Sequence, residues 1–341
     1  MADSLLETLR AGVRTLVDAG LNSIEVPMRA LQRALGVPRI GWVFVAPNLV
    51  VLGLFTFLPI VIDFYYAFTG GAELYPSQRP FTGLENLQTL FDCDRYLDAS
   101  SCRIDLFWRS VFNTAWFALL QVGLMVLAAL VTALVLNRKI IGRGFFRGVF
   151  FYPVLLSPVV VALIWKWILQ REGLLNALLQ GAGVTGTVWL NDAGWAFFWS
   201  VLVSIWAHMG FYTLILLAGL QAIPADLYEA AQMDHASPWR RFYRITLPLL
   251  MPNLLVVVVL ALIRAVQIFD EIFVLTGGGP GSATLFIVQF IYQTAFSESI
   301  RLYGLAAAAS LVLAASLLVL TLAQLGISRQ GLDRKTGRDD G

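Results

Sequence analysis

Much of the equipment of a soluble enzyme is missing from this 341-residue chain. It has only two histidines, His208 and His235, which form no two-histidine metal motif, so no metal centre is expected. Its only lysines, Lys139, Lys166 and Lys335, follow arginine, tryptophan and arginine, so there is no G-x-x-x-x-G-K-[ST] phosphate loop to bind ATP. No G-x-S-x-G nucleophile elbow occurs, and catalysis within the chain is not expected. Charge is scarce: 13% of residues are charged, against about 25% in soluble domains. The net charge of +2 is too small to suggest a nucleic-acid partner. Paired acids at the centre of apolar runs and inverted repeats are both missing, which argues against an ion-coupled secondary transporter.

What the chain has in excess is apolar sequence, 58% of residues, gathered into runs of about 20 that match a hydrocarbon core about 30 Å thick. The fold class expected is an all-α integral membrane protein. Six spans are placed near 41–68, 108–136, 148–169, 194–220, 250–275 and 302–325, within a membrane domain of residues 41–325. Residues 1–40 precede it and residues 326–341 follow. The first apolar run begins near Trp42 and is too long for a cleavable leader, so none is expected. In the N-terminal segment Leu5, Leu9, Val13, Leu16 and Val17 recur at helical spacing, with Arg10, Arg14 and Asp18 between them. It reads either as an amphipathic helix on the inner membrane surface or as a poorly ordered tail, and the spacing favours the helix.

Basic residues orient the spans. Arg10, Arg14, Arg29, Arg33 and Arg39 precede the first span, Arg138, Lys139, Arg143 and Arg147 follow the second, Arg240, Arg241 and Arg244 follow the fourth, and Arg329, Arg334, Lys335 and Arg338 follow the sixth. The opposite side has only Arg79, Arg95, Arg103, Arg109, Arg171 and Arg301. Both termini are therefore expected in the cytoplasm of a bacterial inner membrane, with lipid as the surrounding partner. Trp42, Trp108, Trp165, Trp167, Trp195 and Trp199 cluster towards span ends, as interfacial tryptophans do. The longest outer loop, about 69–107, holds the only cysteines, Cys93 and Cys102. They are either a disulfide or two free thiols; the oxidising side and the polar surroundings favour the disulfide, as a stiffener of the loop.

One inner segment, 221–248, is too polar to span and too patterned for a plain linker. Pro224 and Asp226 resemble a helix start, and Leu227, Ala230, Ala231 and Met233 give a short helix with an apolar side. His235 to Pro238 break it. Pro238 suits the first turn of a second helix, carried by Trp239, Phe242, Tyr243 and Ile245, which Pro248 and Pro252 are expected to close. The order Glu229, Ala230, Ala231, three residues, His235, nine residues, Ile245, Leu247, Pro248 resembles the signature of importer permeases of the ATP-binding-cassette superfamily. That signature has glycine where His235 stands; histidine is among the residues that tolerate a positive φ. The resemblance implies a cytoplasmic coupling helix-turn-helix, with Glu229, Ala230, Ala231, Asp234, His235, Ile245, Leu247 and Pro248 as the site that docks on separate ATPase subunits. ATP and magnesium would then be bound by that partner, with no cofactor in this chain.

A second stretch, FDEIFVLTGGGPGSATLFIVQFIYQTAF from Phe269 to Phe296, resembles the carbohydrate-uptake branch of the same family, with weaker agreement at Gly83, Leu84, Asn86, Asn113 and Thr114. This implies a carbohydrate substrate, a periplasmic or lipid-anchored solute-binding protein and a second permease subunit. The three glycines and Pro280 are expected to end the fifth span sharply at the outer face. Charged groups inside spans usually face a cavity or a partner. Arg264, Gln267 and Glu271 fall on one face of the fifth span, near Asp270. Gln267, Asp270, Arg264, Asn113 and Tyr212 are candidates for the substrate path, with Trp165 as an aromatic candidate; the plainer alternative is hydrogen bonding that holds helices together. Lys166 reads as a snorkelling residue, and Asp63 and His208 as packing or interfacial groups. Lys166 and Arg264 together also raise an anionic substrate such as glycerol 3-phosphate.

Overall fold

A computed structural model of the chain describes residues 31–32, 36–138, 140–297 and 301–336. The amphipathic run from Leu5 to Asp18, Lys139 and residues 337–341 lie outside them, as do the expectations placed there. With no water in a bilayer core, backbone groups must be satisfied within each segment, so the apolar runs fold as helices. Among the described residues there is no strand, only two isolated bridges, Thr69 with Phe81 and Cys93 with Cys102. In chain order the helices are α1 (Ile40–Ala67), α2 (Glu85–Phe91), α3 (Asp105–Asn137), α4 (Arg143–Phe151), α5 (Pro158–Leu169), α6 (Leu174–Gly181), α7 (Ala193–Gln221), α8 (Ala225–Met233), α9 (Pro238–Val266), α10 (Asp270–Leu275), α11 (Ile287–Phe296) and α12 (Tyr303–Thr336). The chain divides into two compact units, Met1–Tyr65 and Tyr66–Gly341.

Helices α1, α3, α7, α9 and the Tyr303–Gln324 part of α12 are each long and apolar enough to cross a membrane. The third span differs from the single helix expected over 148–169. It is a bent pair, Arg143–Leu155 and Pro158–Gly181, turned by 101°. Pro158 has no N–H to continue the ladder and holds Ser157 in an extended conformation, ψ 138°, which starts a new helix in a new direction.

The fifth span also departs from its expected limits of 250–275. Helix α9 begins at Pro238 and ends at Val266; Gln267 to Phe269 leave helical geometry, and α10 starts afresh at Asp270. Pro248 and Pro252 therefore lie inside a continuous helix and close nothing. A wide π-type turn at Phe242–Thr246, in which the Leu247 N–H donates to the Phe242 carbonyl, accommodates Pro248. It moves aside the carbonyl four residues back, which a proline ring would otherwise strike. Helix α1 uses the same construction: a π-type turn at Gly53–Phe57, the Leu58 N–H on the Gly53 carbonyl, then Pro59.

The main core lies where α3, α7 and α9 meet, with Phe117, Met125, Ala129, Leu216, Leu250 and Val257 buried. Close crossings on α7 need glycine. A Cβ at Gly210 would stand 2.3 Å from the Phe150 carbonyl oxygen, and one at Gly219 would stand 2.6 Å from the Asn253 side chain. A second cluster joins Leu90, Phe107, Phe290 and Leu305. Beside it, buried Arg79 donates to the Thr69 hydroxyl (2.9 Å) and to the carbonyls of Thr69 (3.1 Å) and Glu73 (2.6 Å), with the Tyr66 ring 4.6 Å away. Asn86 adds bonds to the Ala67 and Thr69 carbonyls.

Candidate functional site

The hairpin of residues 221–248 is built by local rules. Asp226 sits in the first turn of α8, where an acid complements the exposed N–H groups. At the other end, the Ala236 N–H donates to the Ala231 carbonyl (2.9 Å) and the His235 N–H to the Gln232 carbonyl (3.0 Å). That pair of bonds is a Schellman stop, which requires a left-handed residue between them. His235 supplies it with φ 50°, among the described residues the one non-glycine at positive φ. Ser237 then caps α9, its hydroxyl accepting from the Arg240 N–H (3.3 Å), and Pro238 takes the first turn. Glu229, Ala230, Asp234 and His235 are exposed, while Ala231, Ile245, Leu247 and Pro248 are half-buried. No residue of α8 is buried. The hairpin thus presents an exposed edge that mixes Glu229, Asp234 and His235 with Leu227, Met233 and Trp239, and turns its far end, from Ile245 on, towards the bundle.

A cavity of about 610 Å³ lies at the opposite end of α9. Its walls come from the bend of the third span (Val154, Leu156, Pro158), from α7 (His208, Phe211, Tyr212), from α9 (Leu260, Ile263, Arg264) and from Gln267 to Glu271. Four of the expected path residues, Tyr212, Arg264, Gln267 and Asp270, line it. Asn113 does not. It donates to the carbonyls of Ser282 (2.7 Å) and Leu285 (3.1 Å), pinning the segment after the glycines to α3. Trp165 stands among Trp199 and Trp206, ring centroids 5.6 Å away in each case, and is not a lining residue. Lys166 does not line the cavity either; its Nζ donates to the Val274 carbonyl at the end of α10 (3.0 Å).

The break after Val266 gives this cavity its polar wall. A continuous helix would place Arg264, Gln267 and Glu271 on one face; the break instead lets Arg264, Gln267 and Asp270 lie exposed while Glu271 is buried. His208, expected as a packing group, links the two ends. Its Nδ1 is 2.9 Å from the Ser204 carbonyl and 3.8 Å from Glu271 Oε1, and its Nε2 meets the Arg264 guanidinium. A carbonyl only accepts and a guanidinium only donates, so the ring is the neutral tautomer with its proton on Nδ1. Arginine, imidazole and glutamate form a line that runs from the exposed Arg264 guanidinium through His208 to the buried Glu271. Of the polar lining residues, His208 and Glu271 are the two not among the path candidates, and the aromatic Phe211 and Phe269 also line the cavity; the four-residue spacing of His208 and Tyr212 on α7 is the available signal for His208.

The glycines end α10, not the long fifth helix. Gly277, Gly278 and Gly281 have φ of 65°, 93° and 63°, which a side chain would strain. The Thr284 hydroxyl closes the loop on the Gly279 carbonyl (2.7 Å) and meets the Thr276 hydroxyl (2.7 Å). Phe269 stacks on Phe273 and packs on Tyr292, centroids 5.1 Å apart in both pairs, and fixes the segment just after the break. In the loop between α2 and α3, Cys93 and Cys102 form a disulfide. Within it, hydrogen bonds from Ser100 hold the Asp98 carboxyl below the usual carboxylate range.

Comparison with known proteins places the hairpin and the cavity in one matched region. Residues 125–330 match the family described as binding-protein-dependent transport system inner membrane component. The trehalose/maltose transport system permease protein of Thermococcus litoralis is 37% identical over 294 residues, 85% of this chain and 94% of that one. The sulfoquinovosyl glycerol transport system permease protein of Agrobacterium fabrum is 33% identical over 275 residues, 80% and 86% of the two chains. Among solved structures, a bacterial ABC transporter involved in the import of the acidic polysaccharide alginate has a chain that superposes with a TM-score of 0.74 at 23% identity. The match covers 88% of this chain and 99% of that one, and the likeness is one of fold.

Proposed function

The chain belongs to the family of binding-protein-dependent transport system inner membrane components, and on that premise we propose that it is the translocating subunit of an ATP-driven carbohydrate importer. It is a multi-pass membrane protein, and the distribution of arginine supports cytoplasmic termini. The observation that carries the proposal is that one element joins both ends of the machine. Helix α9 begins in the exposed hairpin and in its last turn carries Arg264, on the wall of a cavity lined by both polar and apolar side chains.

In this reading Glu229, Ala230, Ala231, Asp234 and His235 form the face on which a separate ATPase docks, and Ile245, Leu247 and Pro248 join that face to the bundle. ATP and magnesium are held by that partner, and this chain does no chemistry. Closure of the ATPase pair displaces the hairpin and rocks the spans, opening the cavity to one side or the other. A solute-binding protein delivers the sugar at the outer face, and a second permease subunit completes the path.

The cavity suits an uncharged saccharide. Gln267, Tyr212, Asp270 and Arg264 supply donors and acceptors for hydroxyl groups, and Phe211 and Phe269 supply aromatic faces. An anionic substrate such as glycerol 3-phosphate is less well served, because Lys166 is engaged on Val274 and Arg264 shares the cavity with Asp270 and Glu271. The test is to purify the assembled complex and measure ATP hydrolysis with the binding protein and candidate sugars. Sugar-stimulated hydrolysis by a co-purifying ATPase supports the proposal; a chain that assembles with no ATPase contradicts it.

A further inference from the structure

We propose that the hydrogen bond between Tyr228 and Thr246 is the strut through which movement of the docking helix α8 reaches α9 and the cavity, making both residues positioning residues for transport. This rests on the reading of the hairpin as an ATPase-docking element. Tyr228 immediately precedes Glu229, on the helix whose outer edge would meet the ATPase. Its hydroxyl lies 2.9 Å from the Thr246 hydroxyl.

Three observations converge on this contact. Helix α8 buries none of its residues, so apolar packing does not lock it to the bundle. Among the described residues, Tyr228 to Thr246 is the one side-chain hydrogen bond shown between α8 and the rest of the protein. Thr246, by contrast, is buried, and it is the last residue of the π-type turn that leads into the rest of α9. From Thr246 the helix runs to Arg264, 18 positions on, a rod of about 27 Å at 1.5 Å per residue. Leu250, Leu254, Val257 and Ala261 lock that rod into the core. A push on α8 therefore has two routes into α9: along the backbone of the short turn Asp234–Ser237, which enters α9 at its first residue, and across the Tyr228 side chain, which meets α9 at buried Thr246. Without the strut, α8 can move while α9 stays still.

The test uses the complete importer reconstituted with its ATPase, second permease and binding protein. The quantity read is sugar transported per ATP hydrolysed. Tyr228→Phe and Thr246→Val each remove one hydroxyl and keep the shape of the side chain. Each should bind the ATPase and lower that ratio about fivefold, the factor that loss of one ordinary hydrogen bond represents. The double variant should be no worse than either single one, since both break the same bond. Thr246→Ser keeps the hydroxyl and should recover part of the ratio. An unchanged ratio in Tyr228→Phe overturns the proposal even where Thr246→Val assembles poorly, and so do effects that multiply in the double variant. Failure of the parental chain to bind any ATPase is a distinct result, and it overturns the docking reading and the strut with it.

Discussion

Replacing Gly210 with alanine is a demanding test of the geometry. A Cβ there would stand 2.3 Å from the Phe150 carbonyl oxygen and 3.0 Å from the Phe151 Cα, against 3.4–4 Å for ordinary contact. The obstacle is backbone and cannot rotate away, so α7 and the bend of the third span must separate by about 1 Å. Overpacking of that kind costs about 2 kcal/mol, which for a chain of 341 residues lowers the midpoint of thermal unfolding by roughly 3 °C. The consequence is also functional. Gly210 lies between His208 and Tyr212, while Phe150 leads into Val154, Leu156 and Pro158, so the change widens the cavity at its wall. The assay is thermal unfolding in detergent beside transport in proteoliposomes. Gly123→Ala is the control, because nothing lies within 4 Å of its Cβ position in α3. That substitution should be neutral or stabilising by up to about 1 kcal/mol. If Gly210→Ala unfolds and transports as the parent does, the crossing of α7 over Phe150 is wrong.

Other outcomes follow from the same structure. His235→Gly relieves a left-handed histidine and should hold or raise thermal stability, by up to about 1 kcal/mol, with ATPase binding intact; loss of binding would mean that the imidazole itself touches the partner. Glu229→Lys should reduce co-purification of the ATPase by at least about tenfold, measured by quantitative pull-down, since it reverses charge on the exposed face. Removing the disulfide with Cys93→Ser and Cys102→Ser should cost the outer loop about 2–3 kcal/mol, seen as faster proteolysis between Phe91 and Asp105, while two free thiols in the oxidised parent would contradict the bond. Arg264→Met removes the exposed cation at the end of the His208–Glu271 line and should change stability by less than about 1 kcal/mol while lowering transport in proteoliposomes; transport equal to that of the parent would refute its place on the path.

How much of this was legible in the sequence depended on how local the cause was. The hairpin was readable because its signals act within a few residues: Asp226 in a first turn, His235 at a left-handed stop, Pro238 opening the next helix. The identity of Glu229 to Pro248 had a different source, the resemblance of its residue order to a family signature. The break after Val266 was not legible, since Val266, Ile268 and Phe269 continue the apolar run. Only the aromatic packing of Phe269 and Tyr292 and the new start at Asp270 reveal it. For the bend of the third span the prolines were visible, but a proline in an apolar run is also compatible with a kinked single helix. His208 looked like a packing residue because its partners, Arg264 and Glu271, are 56 and 63 positions away. Asn113 is the opposite case: a polar residue at a span's start is compatible with the path or with hydrogen bonding between segments, and its side chain donates to the carbonyls of Ser282 and Leu285.

The claim at the centre of this account is that energy enters through the hairpin from another chain. Transport of the sugar into proteoliposomes, measured with the ATPase subunits present and then omitted, tests it most directly. The account predicts uptake that requires both ATP and the ATPase, and that Glu229→Lys abolishes. Uptake that persists without any ATPase, or that an ion gradient alone sustains, would contradict it.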